Sequence, residues 1–506
     1  MKKEALILLG FILLKFILQY LLYNPFYELQ RDEYLHLDQA EHLAWGFQSV
    51  PPVTSWIAYI VKLLGNSVFW IRFFPALFGA LTIVVVWEIV SALKGNLYAL
   101  VLSATCVSFS FLLRLNLLFQ PNSFDVLCWS LFYFILVKYI QTQKSKWLYV
   151  ASLAFAIGFL NKYNIVFLVI GIFPAILLSE HRKIFIQKHF YGALLLGLIV
   201  ILPNLLWQHH NNYPVFHHLE ELTATQLIHV NRLDFLKEQL FFFIGALPVI
   251  IASLYAFLFY APFRKYSLFF FSFFFTLFTF VYLKAKGYYA IGLYPVYIAF
   301  GSVYFGNLIN FGWRKYVKPI FIILPVLSYI LLFNLIFSMK DPTYILEYRS
   351  IYKEAGLLQW EDGKDHQLPQ DFADMLGWKE LANKVEKAYN KLPDDEKTIV
   401  LCDNYGQAGA INYYVKNKNI KAVSFNADYI NWFDFNKRTI NLIRVKDATG
   451  SKHELEETSP FFETAFVADS LAEPLAREYK TTIFVFRNPK VDIDQRLKAE
   501  ISQATN

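Results

Sequence analysis

Eleven apolar runs, each near the length of a membrane-crossing helix, constrain this 506-residue chain more than any other feature. A helix rises only ~1.5 Å per residue, so about 20 predominantly apolar residues are needed to cross the hydrocarbon of a bilayer. The runs fall at roughly 4–23, 67–93, 97–114, 120–140, 146–160, 163–180, 187–206, 238–260, 266–283, 288–309 and 317–338. Backbone amides inside lipid find no water, so such runs fold as helices whose hydrogen bonds close within the segment. The expected architecture is an all-α polytopic membrane bundle of about 11 transmembrane helices. Composition agrees: 17% of the residues are charged, against roughly a quarter in soluble domains. The net charge of +7 does not read as nucleic-acid binding, because the basic residues punctuate the runs instead of gathering in one block.

Alternating the runs sorts the connections into two sets. One holds Lys2/Lys3, Lys94, Lys138/Lys144/Lys146, Arg182/Lys183/Lys188, Arg264/Lys265 and Arg314/Lys315/Lys318. Short basic loops mark the cytoplasmic side. The other set holds the segment 24–66, the loop 207–237, the "KAKGYY" turn and everything after 340. The expectation is an N-terminus inside and a C-terminus outside. The N-terminal "MKKEALILLGFILLKFILQYLLYNP" has a basic start like a signal peptide but no A-x-A-like cleavage site, so it reads as an uncleaved first span.

Residues 1–340 therefore read as a transmembrane domain and 341–506 as a soluble extracytoplasmic domain. In the latter, "LPQDFADMLGWKELANKVEKAYNKL" reads as a capped amphipathic helix. "TIVLCD" and "TTIFVF" read as buried strands, with "KAVSF" and "NLIRV" between them. Strands alternating with helical patterns predict a small α/β domain. Cys402 is alone in this tail, which excludes a disulfide framework within it.

The ionisable residues worth weighing gather at the outer ends of the runs. "RDEYLHLDQAEHLAWGFQSVPP" places Asp32, Glu33, His36, Glu41 and His42 directly after the first run. Leu37, Ala40, Ala44 and Phe47 recur at helical spacing, which predicts a helix lying in the membrane interface with Asp32 at the water–lipid boundary. Asp32 and Glu33 equally suit the positive end of a helix macrodipole. The loop "LWQHHNNYPVFHHLEELTATQLIHVNRLDF" carries His209, His210 and Arg232, and "YLKAKGYYAIGLYP" carries Lys286, Tyr288 and Tyr289. A lysine point charge with tyrosine donors suits a phosphate, although lysines at a helix end also snorkel. Arg72, near the start of the second run, reads as a phosphate ligand or as an interface anchor. The His pairs come with no HExxH or CxxC, so no metal site and no cofactor is read, and a divalent cation stays open. There is no Walker loop, nucleophile elbow or dinucleotide fingerprint.

Taken in order, "RDEYLHLDQAEHLAWG…PP", "WIRFFPALFGALTIVVVW", "LLFQPNSFDVLCW", "NKYNIVFLV", "PNLLWQHHNNYPVFHH" and "KAKGYYAIGLYPVYIAFG" resemble the GT-C superfamily of polyprenyl-phosphate-sugar-dependent glycosyltransferases. Within it they are similar to the bacterial branch of the dolichyl-phosphate-mannose protein mannosyltransferase family, which includes the lipid A aminoarabinose transferase. The likeness covers about residues 1–340. The tail's "LPQDFADMLGW" and "DNYGQAGAINYY" resemble the outer domain of one prokaryotic subgroup.

The resemblance implies a GT-C fold and a sugar donor on a polyprenyl phosphate, undecaprenyl phosphate in bacteria. It also implies inverting transfer to a lipid, glycan or protein hydroxyl on the outer face. The family's first-loop acid maps onto Asp32, with Glu33 beside it, and its donor-phosphate contacts map onto Lys286 and onto Tyr288 or Tyr289. One departure stands out: Val50 precedes Pro51, where the aminoarabinose transferase has a lysine, so Arg72 or Arg232 becomes a candidate phosphate ligand. His36, Glu41, His42, His209, His210, Asn404 and Tyr405 are candidates for substrate or acceptor contacts, and the tail is equally readable as a structural cap. The competing class is a transporter or flippase of lipid-linked sugars. It is disfavoured because no repeat is visible and the charges sit at the ends of runs, not at the midplane.

Overall fold

The computed structural model describes residues 2–505, and the chain divides into two compact units. One comprises Met1–Tyr23 and Ala44–Met339, the other Asn24–Leu43 and Lys340–Asn506. The short segment after the first apolar run thus belongs with the C-terminal part of the chain.

The first unit is helical throughout. Each of the eleven apolar runs folds as a helix or a bent pair of helices. Among the described residues, Lys2–Leu21, Val68–Ala92, Pro121–Thr142, Lys188–His210, Gly287–Leu308 and Gly312–Ile336 are long and apolar enough to cross a membrane. Two further pairs, Ile165–Leu177 with Glu180–Ile186 and Arg232–Phe242 with Ile244–Phe259, are bent by 108° and 68°. Counting each pair as one span raises the number of candidate spans from six to eight. The expected eleven exceeds this because the runs at 97–114, 146–160 and 266–283 form helices of only 12, 16 and 15 residues. Twelve residues reach ~18 Å, well short of a ~30 Å hydrocarbon layer. Lys15, in the first helix, is buried and donates to Asn116 Oδ1 at 2.6 Å, so a polar pair in the bundle replaces a snorkelling side chain.

The second unit contains a five-stranded sheet in the order β2-β1-β3-β5-β4. β1 (Thr398–Cys402) pairs in parallel with β2 (Ala422–Ser424) and with β3 (Asn441–Lys446). β5 (Thr482–Pro489) is antiparallel to β3 and to β4 (Phe462–Ser470). The four strands expected from sequence are β1, β2, β3 and β5. β4 escaped notice because it is an edge strand, exposed along most of both faces, and "FETAFVADS" has no continuous apolar signal. The expected amphipathic helix is broken in two, Gln370–Ala373 and Trp378–Tyr389, by Gly377 at φ +82°, a backbone conformation that favours glycine.

Residues 24–43 are woven into this unit. The Glu28 carboxylate accepts from the Trp378 amide at 2.7 Å and from the Lys379 amide at 3.1 Å, capping the Trp378–Tyr389 helix from outside. The Arg31–Gln39 helix packs on the Tyr405–Tyr414 helix, with Tyr34 wedged between Trp378, Tyr413 and Tyr414. The two helices approach so closely that a Cβ on Gly409 would lie 2.7 Å from that of Tyr34. This corrects the expected interfacial helix. The helix ends at Gln39, before Ala44 and Phe47, and Leu37 and Ala40 are each 2% exposed. Its apolar stripe is spent on protein.

Candidate active site

The acidic residues that follow the first apolar run are set by the start of the Arg31–Gln39 helix. Gln30 is the N-cap: its side chain accepts from the Asp32 amide at 2.9 Å, while its own amide donates to Glu33 Oε2 at 2.8 Å. This reciprocal pair is a capping box, which satisfies amides that a helix start leaves unbonded. Glu33 is fully buried in that role. Asp32 is half-buried in the first turn, where the helix macrodipole favours a carboxylate.

A tyrosine from the tail meets it. Tyr405 Oη donates to Asp32 Oδ1 at 2.6 Å, and the Arg31 guanidinium lies 4.4 Å over the Tyr405 ring. Burial pushes the Tyr405 phenol well up, so it stays protonated and is the donor in this bond. Asn404 caps the Tyr405–Tyr414 helix through the Gln407 amide at 3.0 Å and donates to Glu478 at 3.1 Å. Close by, Asp374 receives Arg477 at 3.1 Å and Gln30 Nε2 at 3.3 Å. Burial pushes the Asp374 carboxyl up to about 6, against the pull of Arg477 and Arg31.

Asp32, Glu33, Asn404 and Tyr405 are therefore neighbours, with His36 one turn further along the same helix and within reach of the charges of Asp32 and Glu33. His36 is buried with Nδ1 3.0 Å from Gln39 Oε1, and burial holds its imidazole below the usual range. Since Gln39 Nε2 donates to Asp428 at 2.8 Å, its Oε1 must accept, so His36 carries its proton on Nδ1. Glu41 and His42 are exposed, and the His42 ring stacks on Trp432 at 4.2 Å.

In the first unit, Lys286 stands just before the 3-10 helix Gly287–Leu293, and its ammonium donates to Gln226 Oε1 at 2.6 Å. Gly287 leaves room for the Glu238 carboxylate, which a Cβ would meet at 1.7 Å. Beside Lys286, on the Pro214–Thr225 helix, His218 is held below the usual range by burial, and Lys286 adds to this against Glu221.

Tyr289 and Tyr288 flank a second ammonium that the sequence reading passed over. Lys162 Nζ lies 4.4 Å from the Tyr289 ring centroid and 5.0 Å from that of Tyr288, and it donates to Asn122 Oδ1 at 2.7 Å. Asn164 ties the group together, donating to Asp125 Oδ2 and to the Tyr289 carbonyl, each at 2.9 Å. Lys162 lies between the Lys146–Asn161 and Ile165–Leu177 helices. Burial brings its ammonium down to about 8; Asp125 opposes the shift and Lys286 reinforces it. Two lysines among tyrosines and amide donors suit a phosphate. The sequence did hold a signal: "FQPNSFD", "NKYN" and "KAKGYY" all fall at outer ends of runs once the spans are alternated.

The remaining candidates bond elsewhere. Arg72 is buried and its guanidinium donates to the Leu117 carbonyl. Arg232 is exposed; Nε donates to the Val281 carbonyl at 3.0 Å, covering the last turn of the Leu268–Tyr282 helix. His209 and His210 end the Lys188–His210 helix, exposed, with His209 Nδ1 3.1 Å from Tyr213 Oη. Among the described residues, no group of three or more His, Cys, Asp or Glu side chains is arranged to hold a metal ion.

Comparison with known proteins gives the class of fold. Residues 49–207 match the family model described as dolichyl-phosphate-mannose-protein mannosyltransferase. Nearly all of the chain shares the fold of ArnT from Cupriavidus metallidurans. Against the crystal structure of that protein bound to undecaprenyl phosphate, the TM-score is 0.60 at 10% identity, covering 94% of this chain and 97% of the other. Against its apo state the TM-score is 0.59 at 10% identity, covering 96% and 98%. No curated protein sequence matches the chain. The chain thus shares the ArnT fold: a mostly helical bundle with several membrane-length apolar helices and a small C-terminal sheet domain.

Proposed function

We propose that this chain is an integral-membrane glycosyltransferase. It moves a sugar from a polyprenyl phosphate, undecaprenyl phosphate in a bacterium, onto an acceptor hydroxyl at the outer face of the inner membrane. The observation that carries this reading is the ArnT-type fold along 94% of the chain, shared with a protein crystallised on undecaprenyl phosphate. In this reading residues 1–23 and 44–339 supply the membrane part, and 24–43 with 340–506 the extracytoplasmic part, with the N-terminus in the cytoplasm.

An acceptor hydroxyl is a poor nucleophile at neutral pH. Asp32 takes its proton as the oxygen attacks the anomeric carbon, an aid typically worth ~10²–10⁴-fold. The bond from that carbon to the phosphate oxygen breaks, and polyprenyl phosphate leaves with the electron pair. A single displacement of this kind inverts the anomeric centre and needs one base. Negative charge grows on the departing phosphate, and Lys286 and Lys162, with Tyr288 and Tyr289, are the groups we assign to meet it.

The test uses lipid-linked sugars extracted from a strain lacking this chain, where unused donor accumulates, and membranes of that strain as acceptor. Purified full-length protein in detergent should release polyprenyl phosphate, followed by mass spectrometry, and Asp32→Asn should stop the release without loss of folded protein. Movement of the lipid-linked sugar across reconstituted vesicles without its consumption would instead make the chain a transporter.

A further inference from the structure

The contact between Asp32 and the tail is specific enough to assign a task to Tyr405. We infer that Tyr405 is a positioning residue for Asp32, so that the C-terminal part of the chain fixes the group that takes the acceptor's proton. This rests on the reading of Asp32 as the base.

Three features of the second unit converge on it. The phenol donates to Asp32 Oδ1 at 2.6 Å, a length typical of a hydroxyl bonded to an ionised acceptor. Such a bond fixes the torsion of a carboxylate that would otherwise turn about its side-chain bonds. Next, Arg31 lies 4.4 Å over the face of the same ring. A cation over the ring draws electron density from it, making the hydroxyl a stronger donor. Finally, the two helices that carry the pair are locked in register. Gly409, one turn after Tyr405, sits where a Cβ would meet Tyr34 Cβ at 2.7 Å and Tyr429 Oη at 2.6 Å. Asp38, at the far end of the Arg31–Gln39 helix, accepts from Asn412 Nδ2 and from Tyr429 Oη, each at 2.7 Å. The pairing of Tyr405 with Asp32 is thus the first of a series of contacts running the length of the helix.

A bond to a charged partner placed in this way matters in the reacting geometry more than in binding the donor. Tyr405→Phe keeps the ring, its packing and the Arg31 contact, and deletes only the donor. With the extracted lipid-linked sugars as donor and membranes of the deletion strain as acceptor, kcat should fall roughly 10-fold or more, while the KM for donor and the melting temperature stay at wild-type values. Tyr414→Phe is the control: it removes the 3.2 Å bond to Tyr34 in the same helix interface, away from Asp32, and should leave kcat unchanged. If Asp32→Asn is inactive but Tyr405→Phe turns over like wild type, Tyr405 has no positioning role and the assignment of the base stands. If Tyr405→Phe and Tyr414→Phe lose kcat and melting temperature alike, the contact is structural only and the inference falls. Near-normal turnover by Asp32→Asn overturns both the base and the residue said to position it.

Discussion

The carboxylate and the ammonium groups assigned to the reaction are held by opposite kinds of structure. Asp32 stands in the first turn of a regular helix, with a capping box beneath it, a tyrosine hydroxyl on one oxygen and a second helix packed alongside. Lys286 and Lys162 stand on irregular backbone, one before a 3-10 helix and the other between two helices, bonded to the amide side chains of Gln226 and Asn122. The difference teaches where precision is spent. A proton acceptor must meet one hydrogen along one line, so a rigid mount serves it. A phosphate offers several oxygens, and point charges on adaptable stems can follow it.

The comparison can be broken at its strongest point first. Asp32→Asn should lower turnover about 10²–10⁴-fold with unchanged melting temperature; retention of activity would remove the rigidly held end from the chemistry. At the other end, Lys162→Met should cost about 10²-fold in kcat/KM for the lipid-linked donor, measured by release of polyprenyl phosphate. A milder effect follows from pH. The Lys162 ammonium lies at about 8, so its charge is present at neutral pH and is lost as pH rises through that value. The groups facing it are Asp125, which favours the charge, and Lys286, which opposes it. The KM for donor should therefore climb above pH 8, and Lys162→Arg should flatten that rise. Glu33→Ala should cost about 1 kcal/mol of stability by undoing the capping box, read as a lower melting temperature. The smallest change is expected from Arg232→Gln. It removes a helix-end contact and should leave the KM for donor unchanged, which would separate Arg232 from the lysines.

The fold was legible wherever periodicity and length carry the signal. The eleven apolar runs fold as helices or bent pairs, and four strands of the sheet lie where their buried, β-branched stretches predict. β4 was not legible, because an exposed edge strand has no buried face to write into the sequence. Fewer than eleven of the runs form a helix of full spanning length for a related reason: a run at 97–114 stays apolar where the chain leaves the helix at Ser108 and turns through residues packed in the bundle. At the site, the "DE" pair and its helix start were readable from local residues. Lys162 was not, since one lysine in a three-residue turn looks like any loop until tyrosines from a segment more than 120 residues later close over it. The contact that Arg232 makes was not legible either: its guanidinium covers carbonyls at the end of a helix that follows much later in the chain.

The interleaving of Asn24–Leu43 with Lys340–Asn506 fixes the order in which a newly made molecule becomes complete. Asp32 leaves the ribosome early, yet its hydroxyl partner lies 373 residues further along. At translation rates of about 5–20 residues per second, that gap is tens of seconds. Through that interval the helix start waits without Glu28's amide partners or the Tyr405–Tyr414 helix beneath it. No nascent chain that stops short of Tyr405 can assemble the surroundings of Asp32, so in this molecule an acidic group made early is among the last to be finished.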